Sequence, residues 1–357
     1  MQKYQIPILR FSNMLKFSMD LNSLLKENAR TLYLSAKIMP RKQREVFTVA
    51  YLLCRIADTI ADTRLLPLEE RIYFIKNYPA LVKTQDKELL AKYTALNSKI
   101  DKKFNKEIVL LENLPLCLDT YKNLDTRAQA DTLEVVSAVS SAMEWDLTYF
   151  TDDDSPYLIK AVAGAKETEN YCTAMGGAPG VFWAKLLLKG RENEKFISQA
   201  RQIGQALQIT NILKDIAADI KLGRIYLPIS DLTKHSLMPQ DLLEKKNYKL
   251  FLPVVYKWLH YGLDNIAAAP DFLRQIPFYK VFTRAAIMWP VLWALETYGA
   301  ILRSRNLLDI KYRPKIERKI IYKTMLLTPL FVWSDTLFTY LFNKKYKMLQ
   351  KFLPSKK

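Results

Sequence analysis

Apolar residues recur along this chain at three- and four-residue intervals, the period of a helix that buries one face. Between 42 and 62 the stripe runs through Val46, Val49, Ala50, Leu53, Ile56 and Ala57 and predicts one long helix. A second stripe, Leu133, Val136, Val139 and Ala142, predicts a helix over 127–149 that ends near Glu144-Trp145-Asp146. The run Asp152-Asp153-Asp154-Ser155-Pro156 then reads as a break. Residues 157–188 form a third helical stretch, with small residues at Gly164, Gly176, Gly177 and Gly180. Residues 195–221 form a fourth, with Gly223 as its C-terminal stop. Beyond it Pro228, Pro239, Pro253, Pro270, Pro277 and Pro290 punctuate further helices, and the Lys-rich stretch 84–107 reads as a surface connection. No strand–turn–strand repeat and no compositional boundary interrupts the pattern. It predicts a single all-α domain.

Two of these helices carry the same acidic pattern: Asp58 with Asp62, and Asp215 with Asp219. Carboxylates at i and i+4 leave one helix face with Cβ atoms about 5–6 Å apart, and they repel unless a cation lies between them. Their neighbours are apolar, which makes simple solvation a poor account, and Arg55 and Lys214 flank the pairs. One such pair is usually a solvated acidic face. Two in a chain of net charge +18 point to divalent metal. Facing across a cavity, they could hold Mg²⁺ ions that grip a diphosphate, since Mg²⁺ is commonly bound by one or two carboxylates plus substrate phosphates. An apolar pocket would then shield the carbocation left when the carbon–oxygen bond breaks.

Composition narrows the alternatives. Half of the 357 residues are hydrophobic and a quarter charged, which is globular, and only 9 glycines favour helix over sheet. Cys54, Cys117 and Cys172 show no CxxC spacing and read as reduced, buried thiols of a cytosolic protein. With only His235 and His260, a zinc site or a histidine-based triad is disfavoured. The basic excess suits a polyanionic substrate or an anionic membrane better than nucleic acid, for which no motif is present. The first residues lack the apolar core of a secretory signal.

Five segments together resemble the squalene and phytoene synthases, the trans-isoprenyl diphosphate head-to-head synthases. Residues 29–33 are similar to that family's Ser-Arg start, with Arg30 at its diphosphate-binding arginine. Tyr51, Arg55, Asp58 and Asp62 match the first aspartate-rich motif. Tyr171-Cys172, followed by Gly176-Gly177 and Pro179-Gly180, resembles the family's Tyr-Cys and glycine signature. Gln208, Asn211, Lys214, Asp215 and Asp219, then Gly223-Arg224, Tyr226 and Pro228, match the second motif with its tail. Pro290 and Ala294-Leu295-Glu296-Thr297, with Lys315 and Arg318, are similar to the C-terminal region of squalene synthases. The likeness covers roughly 15–320. Departures stand at Ala29, Leu32, Met175, Gly177, Pro179 and Lys214, the last keeping the charge but losing arginine's bidentate fork.

The resemblance implies an isoprenoid-synthase helical bundle around a central cavity over 1–323. It implies the union of two farnesyl diphosphates through presqualene diphosphate to squalene, reduced by NADPH. Phytoene or dehydrosqualene formation without reductant, with geranylgeranyl diphosphate as the longer substrate, is the alternative, as is arrest at presqualene diphosphate. A non-catalytic lipid- or partner-binding protein is the rival of another class. Asp58, Asp62, Asp215, Asp219 and Asn211 would hold Mg²⁺, or Mn²⁺ in its place. Arg30, Arg55, Tyr51, Gln208, Asn211, Lys214, Arg224 and Tyr226 would contact the diphosphates. Tyr171 would handle a proton, and Lys315 and Arg318 would bind the phosphates of NADPH. A monomer in the cytoplasm is expected. Segment 324–357, apolar over 324–342 and then Lys-rich, reads either as a membrane-associating helix or as the last helix of the bundle.

Overall fold

The computed structural model describes residues 20–62, 66–96, 105–151, 158–188, 190 and 193–354. The first half of the chain gives helices α1 (Leu21–Asn28), α2 (Leu32–Lys37), α3 (Arg41–Asp62), α4 (Leu68–Thr84) and α5 (Lys87–Ala95). It continues through α6 (Asn105–Glu112), α7 (Leu114–Lys122) and α8 (Thr126–Tyr149). Strand β1 (Lys160–Val162) leads to α9 (Ala165–Cys172), α10 (Ala178–Leu188) and α11 (Glu194–Lys221). Strand β2 (Arg224–Pro228) precedes α12 (Ile229–Thr233), α13 (Tyr248–Ile266), α14 (Ala269–Arg274) and α15 (Val281–Leu302). The described chain closes with α16 (Arg318–Phe331) and α17 (Asp335–Phe352).

Local chemistry starts and stops the helices that matter most. The Asp125 carboxylate accepts the Ala128 N–H at 2.9 Å to begin α8, and the Asn193 side-chain Oδ1 accepts that of Phe196 at 2.8 Å to begin α11. Gly223, at φ +77°, turns the chain out of α11 and straight into β2. The apolar stripe predicted on α3 is buried at Val49, Ala50, Leu53, Ile56 and Ala57, and half-buried at Val46. Around α11 pack α10, α13 and α15, while α3 packs on α8 and α8 on α4, and a cavity lies among α3, α8, α10, α11 and α15. Helix α15 is buried almost all round, as the innermost helix of a bundle must be. It is also long and apolar enough to cross a membrane, yet 72% of that apolar window lies inside the protein.

Four expectations change. Stretch 84–107 contains α5, whose Tyr93 is buried and donates its hydroxyl to the Phe74 carbonyl; the residues 97–104 lie outside those described. Pro253 and Pro290 do not end helices but sit inside α13 and α15, where burial of both flanks outweighs one lost hydrogen bond. A two-stranded parallel ladder, Lys160 against Arg224 and Ala161 against Ile225, appears where the sequence showed no strand pattern. Strands of three and five residues are too short for alternation to be read. Finally, 324–342 is not one continuous helix, because the chain breaks over Val332–Ser334 between α16 and α17. The break expected at Asp152–Pro156 lies outside the described residues.

Candidate functional site

The cavity has a volume of about 510 Å³ and lies between α3, α8, α10, α11 and α15. One wall is α3, from Asp58 through Cys54 and Tyr51 to Phe47; another is α11, from Asn211 through Gln208 and Gly204 to Ala200. At a helical rise of about 1.5 Å per residue, each wall runs roughly 16 Å. The C-terminal ends of both helices are polar and the other ends wholly apolar, with Phe182, Phe272 and Ala286 closing the deep end. Most of the lining is hydrocarbon, with Arg55, Asp58, Gln208 and Asn211 at the polar end. A glycine contact sets its width. A Cβ on Gly204 would fall 2.1 Å from the Gly176 carbonyl oxygen, and one on Gly176 would fall 2.2 Å from that of Gly204. Gly176 belongs to a π-helical turn, Thr173–Gly177, inserted between α9 and α10. Turns of that kind accompany functional sites.

The two acidic pairs come to the same end of the bundle. Burial, then the charge of Asp62, raises the Asp58 carboxyl to about 6. Burial, then Asp215, raises that of Asp219 to about 8. Both also feel Asp146, a buried acid on α8 that sequence reasoning saw only as the end of a helix. Each pair is met by cations. Arg55 pairs with Asp58, and Lys214 Nζ lies 2.7 Å from Asp215 Oδ2. From the segment after α15, Arg313 Nη2 comes within 2.6 Å of Asp215 Oδ1. Arg313 is new; its signal was the same basic run that drew attention to Lys315 and Arg318, which are exposed.

Arg224 and Tyr226 sit deeper than expected. Arg224 is buried and its Nη1 donates to Asp146 Oδ2 at 2.6 Å, so Asp146 already holds the guanidinium. The ring of Tyr226 stacks on Tyr171 at 4.5 Å between centroids, and its hydroxyl bonds to that of Tyr171. Burial, then Asp146, holds the Tyr171 phenol well above its usual range, which keeps it protonated. Tyr51 donates its hydroxyl to the Asn28 carbonyl at 2.9 Å, two residues before Arg30. Arg30 itself takes a left-handed φ of +46° at the turn between α1 and α2, and is exposed. Gln208 and Asn211 face the cavity 3.5 Å apart.

Among the described residues no three acidic, histidine or cysteine side chains converge as a ready metal cage. Two separate pairs of hard oxygen donors still fit Mg²⁺, which completes its shell with water and substrate phosphate rather than with protein alone. The arrangement can therefore hold an anionic head group at the polar end and a long hydrocarbon below it. No histidine lines the cavity, and Cys54, the one thiol on its wall, is pushed up to about 12 by burial.

Comparison with known proteins agrees. Residues 25–307 match the family model for squalene/phytoene synthase. A bifunctional lycopene cyclase/phytoene synthase of Colletotrichum graminicola is 27% identical over 78% of this chain and 45% of its own length. The squalene synthase of Bos taurus is 21% identical over 79% of this chain and 63% of its own. The chain thus spans about half to two thirds of the length of these relatives. Among solved structures, a ligand complex of TcSQS superposes with a TM-score of 0.74 over 94% of this chain and 92% of its own, at 15% identity. A dehydrosqualene synthase complex gives 0.60 over 87% and 95%, at 18% identity. The fold is that of these helical synthases. The chain belongs to the squalene/phytoene synthase family.

Proposed function

We propose that this chain joins two farnesyl diphosphates head to head, through presqualene diphosphate, to squalene. The observation that carries the reading is the cavity itself: a roughly 16 Å hydrocarbon slot with carboxylates and cations confined to one end. Mg²⁺, or Mn²⁺ in its place, would be held by Asp58, Asp62, Asp215, Asp219 and Asn211 and supplies the charge neutralisation that weakens the bond to the diphosphate. Arg30, Arg55, Lys214 and Arg313 bind and orient the diphosphates as charge-assisted donors. Arg224, committed to Asp146, acts on them only from behind, through the charge it lends the site. Gln208 and Asn211 orient the head group from the α11 wall.

Tyr171 keeps its proton in the resting site, so it would act as a relay: as its O–H passes a proton to the departed diphosphate, the final base, the same oxygen takes the proton lost from the carbon that forms the new bond, and the phenol ends the step protonated. Leu207, Phe182 and Val139 exclude water from the cationic carbons. NADPH would supply the hydride that makes the product squalene, and Lys315 and Arg318, exposed beside Arg313, are the groups that would hold its phosphates. A second reading, phytoene from geranylgeranyl diphosphate, is favoured by the small residues Gly180, Ala200 and Ala286 on the cavity walls, which leave room for a longer chain.

Incubation with farnesyl or geranylgeranyl diphosphate, Mg²⁺ and with or without NADPH separates these readings by product. Squalene only with NADPH supports the first. Phytoene supports the second, and dehydrosqualene regardless of NADPH would remove the reductase step. No turnover of either substrate would refute the enzymatic reading.

A further inference from the structure

We propose that the deep, apolar end of the bundle docks on an anionic lipid bilayer through a composite vertex built from the α16–α17 elbow and the segment that opens α15. One buried side chain assembles it. Arg284 on α15 donates to the carbonyls of Leu273 and Ile276 at 3.2 and 2.7 Å, to that of Val332 at 2.8 Å, and to the Asp335 carboxylate. That single guanidinium places the stretch after Ile276 beside the elbow. From the first project Phe278, Tyr279 and Phe282, each about 60% exposed; from the second project Leu330, Trp333 and Leu337. Five of the chain's six tryptophans are buried or half-buried, and Trp333 is the exception.

The pattern of charge identifies the occupant. On the outer face of α16, Leu326 and Leu330 lie next to the elbow, with Lys319 and Lys323 farther off. On α17 the order mirrors this, with Leu337 and Tyr340 first, then Lys344 and Lys347. Counted from the helix ends that meet at the elbow, Phe331 and Asp335, Lys323 and Lys344 lie roughly 12–14 Å along their helices, while Leu326 and Tyr340 both lie roughly 8 Å along. Two lysine rows at matched height above an apolar, aromatic tip suit a surface with an apolar interior beneath a negative layer. A bilayer with anionic headgroups has that profile. Residues 318–354 contain seven Lys or Arg against one acid, Asp335, which Arg284 already holds. A protein partner would not demand that symmetry. The inner faces of both helices are packed on the bundle through Ile321, Phe331, Phe338 and Phe342, so the outer face is surplus to the fold.

Position links this surface to the cavity. Phe282 precedes Ala286, a residue of the cavity wall, by one helical turn, and Phe272 of that wall precedes the Arg284-bound Leu273 by one residue. The carboxylate end lies at the opposite ends of the cavity walls. On the proposed reading of the reaction, the apolar product would leave through the end that rests on lipid, while diphosphate leaves through the other.

Flotation of the full chain with vesicles tests the docking without any turnover, so its failure is distinct from failure of the proposed reaction. The wild type should float with phosphatidylcholine vesicles carrying about one third phosphatidylserine, and much less with phosphatidylcholine alone. Trp333→Glu, Phe278→Glu and the pair Lys323→Glu with Lys344→Glu should each weaken binding by about tenfold or more. Thermal melts should stay as in the wild type, since all four positions are exposed. Brominated acyl chains should quench wild-type tryptophan emission, and Trp333→Phe should abolish that quenching. No flotation of the wild type, or Phe278→Glu binding as well as the wild type, would overturn the proposal. So would a dimer that Trp333→Glu dissolves in a chain that ignores vesicles.

Discussion

Asp146 of α8 and Arg224 of β2, 78 positions apart in sequence, meet in a buried ion pair of 2.6 Å directly behind the stacked Tyr171 and Tyr226. Removing one partner strands the other charge. Asp146→Ala is therefore expected to destabilise the fold by about 3–5 kcal/mol. Pairing Asp146→Leu with Arg224→Met should recover most of that loss while leaving turnover impaired, because the charge behind the site is gone. Chemical denaturation of the single and double variants measures the first effect; steady-state kinetics measures the second.

The acidic pairs should show themselves in the pH dependence of the metal-free protein. Folding raises the Asp219 carboxyl from 3.8 to about 8 and that of Asp58 from 3.8 to about 6. A raised acid favours the folded state most below its unfolded pKa, and that contribution is lost as pH climbs through the folded value. In chelator, the melting temperature should therefore fall between pH 4 and pH 8, and Asp219→Asn should flatten the fall. Mg²⁺ should restore stability at the alkaline end by neutralising the carboxylates. A wild-type curve no steeper than that of Asp219→Asn would dispose of the crowding argument.

Arg313 makes a prediction that the aspartate motifs alone would not. Its charge-assisted contact with Asp215 places a guanidinium beside one of the carboxylates proposed to hold the metal. Arg313→Ala should raise KM for the prenyl diphosphate by about tenfold, and Arg313→Lys should recover part of it. An unchanged KM would leave Arg313 as a surface contact only.

Tyr171→Phe keeps the stacked ring and removes the proton. The expected loss is about a hundredfold in kcat with KM nearly constant. An equal loss in a Tyr226→Phe variant would move the proton-handling role to the pair rather than to Tyr171.

Gly204→Ala inserts a Cβ 2.1 Å from the Gly176 carbonyl oxygen, with only backbone to give way. Overpacking of that kind should cost about 1–3 kcal/mol and narrow the cavity. Denaturation midpoints, together with the relative use of farnesyl and geranylgeranyl diphosphate, report the two effects separately.

Much of this was readable before any coordinates. The helices carrying Asp58 and Asp215 were legible because a 3.6-residue period repeats many times over twenty residues, and the carboxylate pairs were legible because both members lie on one helix. The β1–β2 ladder was not, since three residues of Lys160–Val162 carry no usable period. Pro290 misled for a related reason: a proline signals a break locally, and only the close packing around α15 shows why the helix runs through it.

The sequence by itself determined the all-helical class, both aspartate pairs with Tyr51 and Arg55 before one and Gln208 and Asn211 before the other, and the family to which they lead. These are facts of spacing within single helices, where four residues always bring side chains to one face. Only the tertiary structure decided that Arg224 is held by Asp146, that Arg313 stands at Asp215, and that Arg284 joins Ile276 to Val332 near the apolar end of the cavity. Each of these relations spans many tens of residues or joins separate elements. Nothing in local periodicity encodes such a meeting; it follows from how the helices pack around one core.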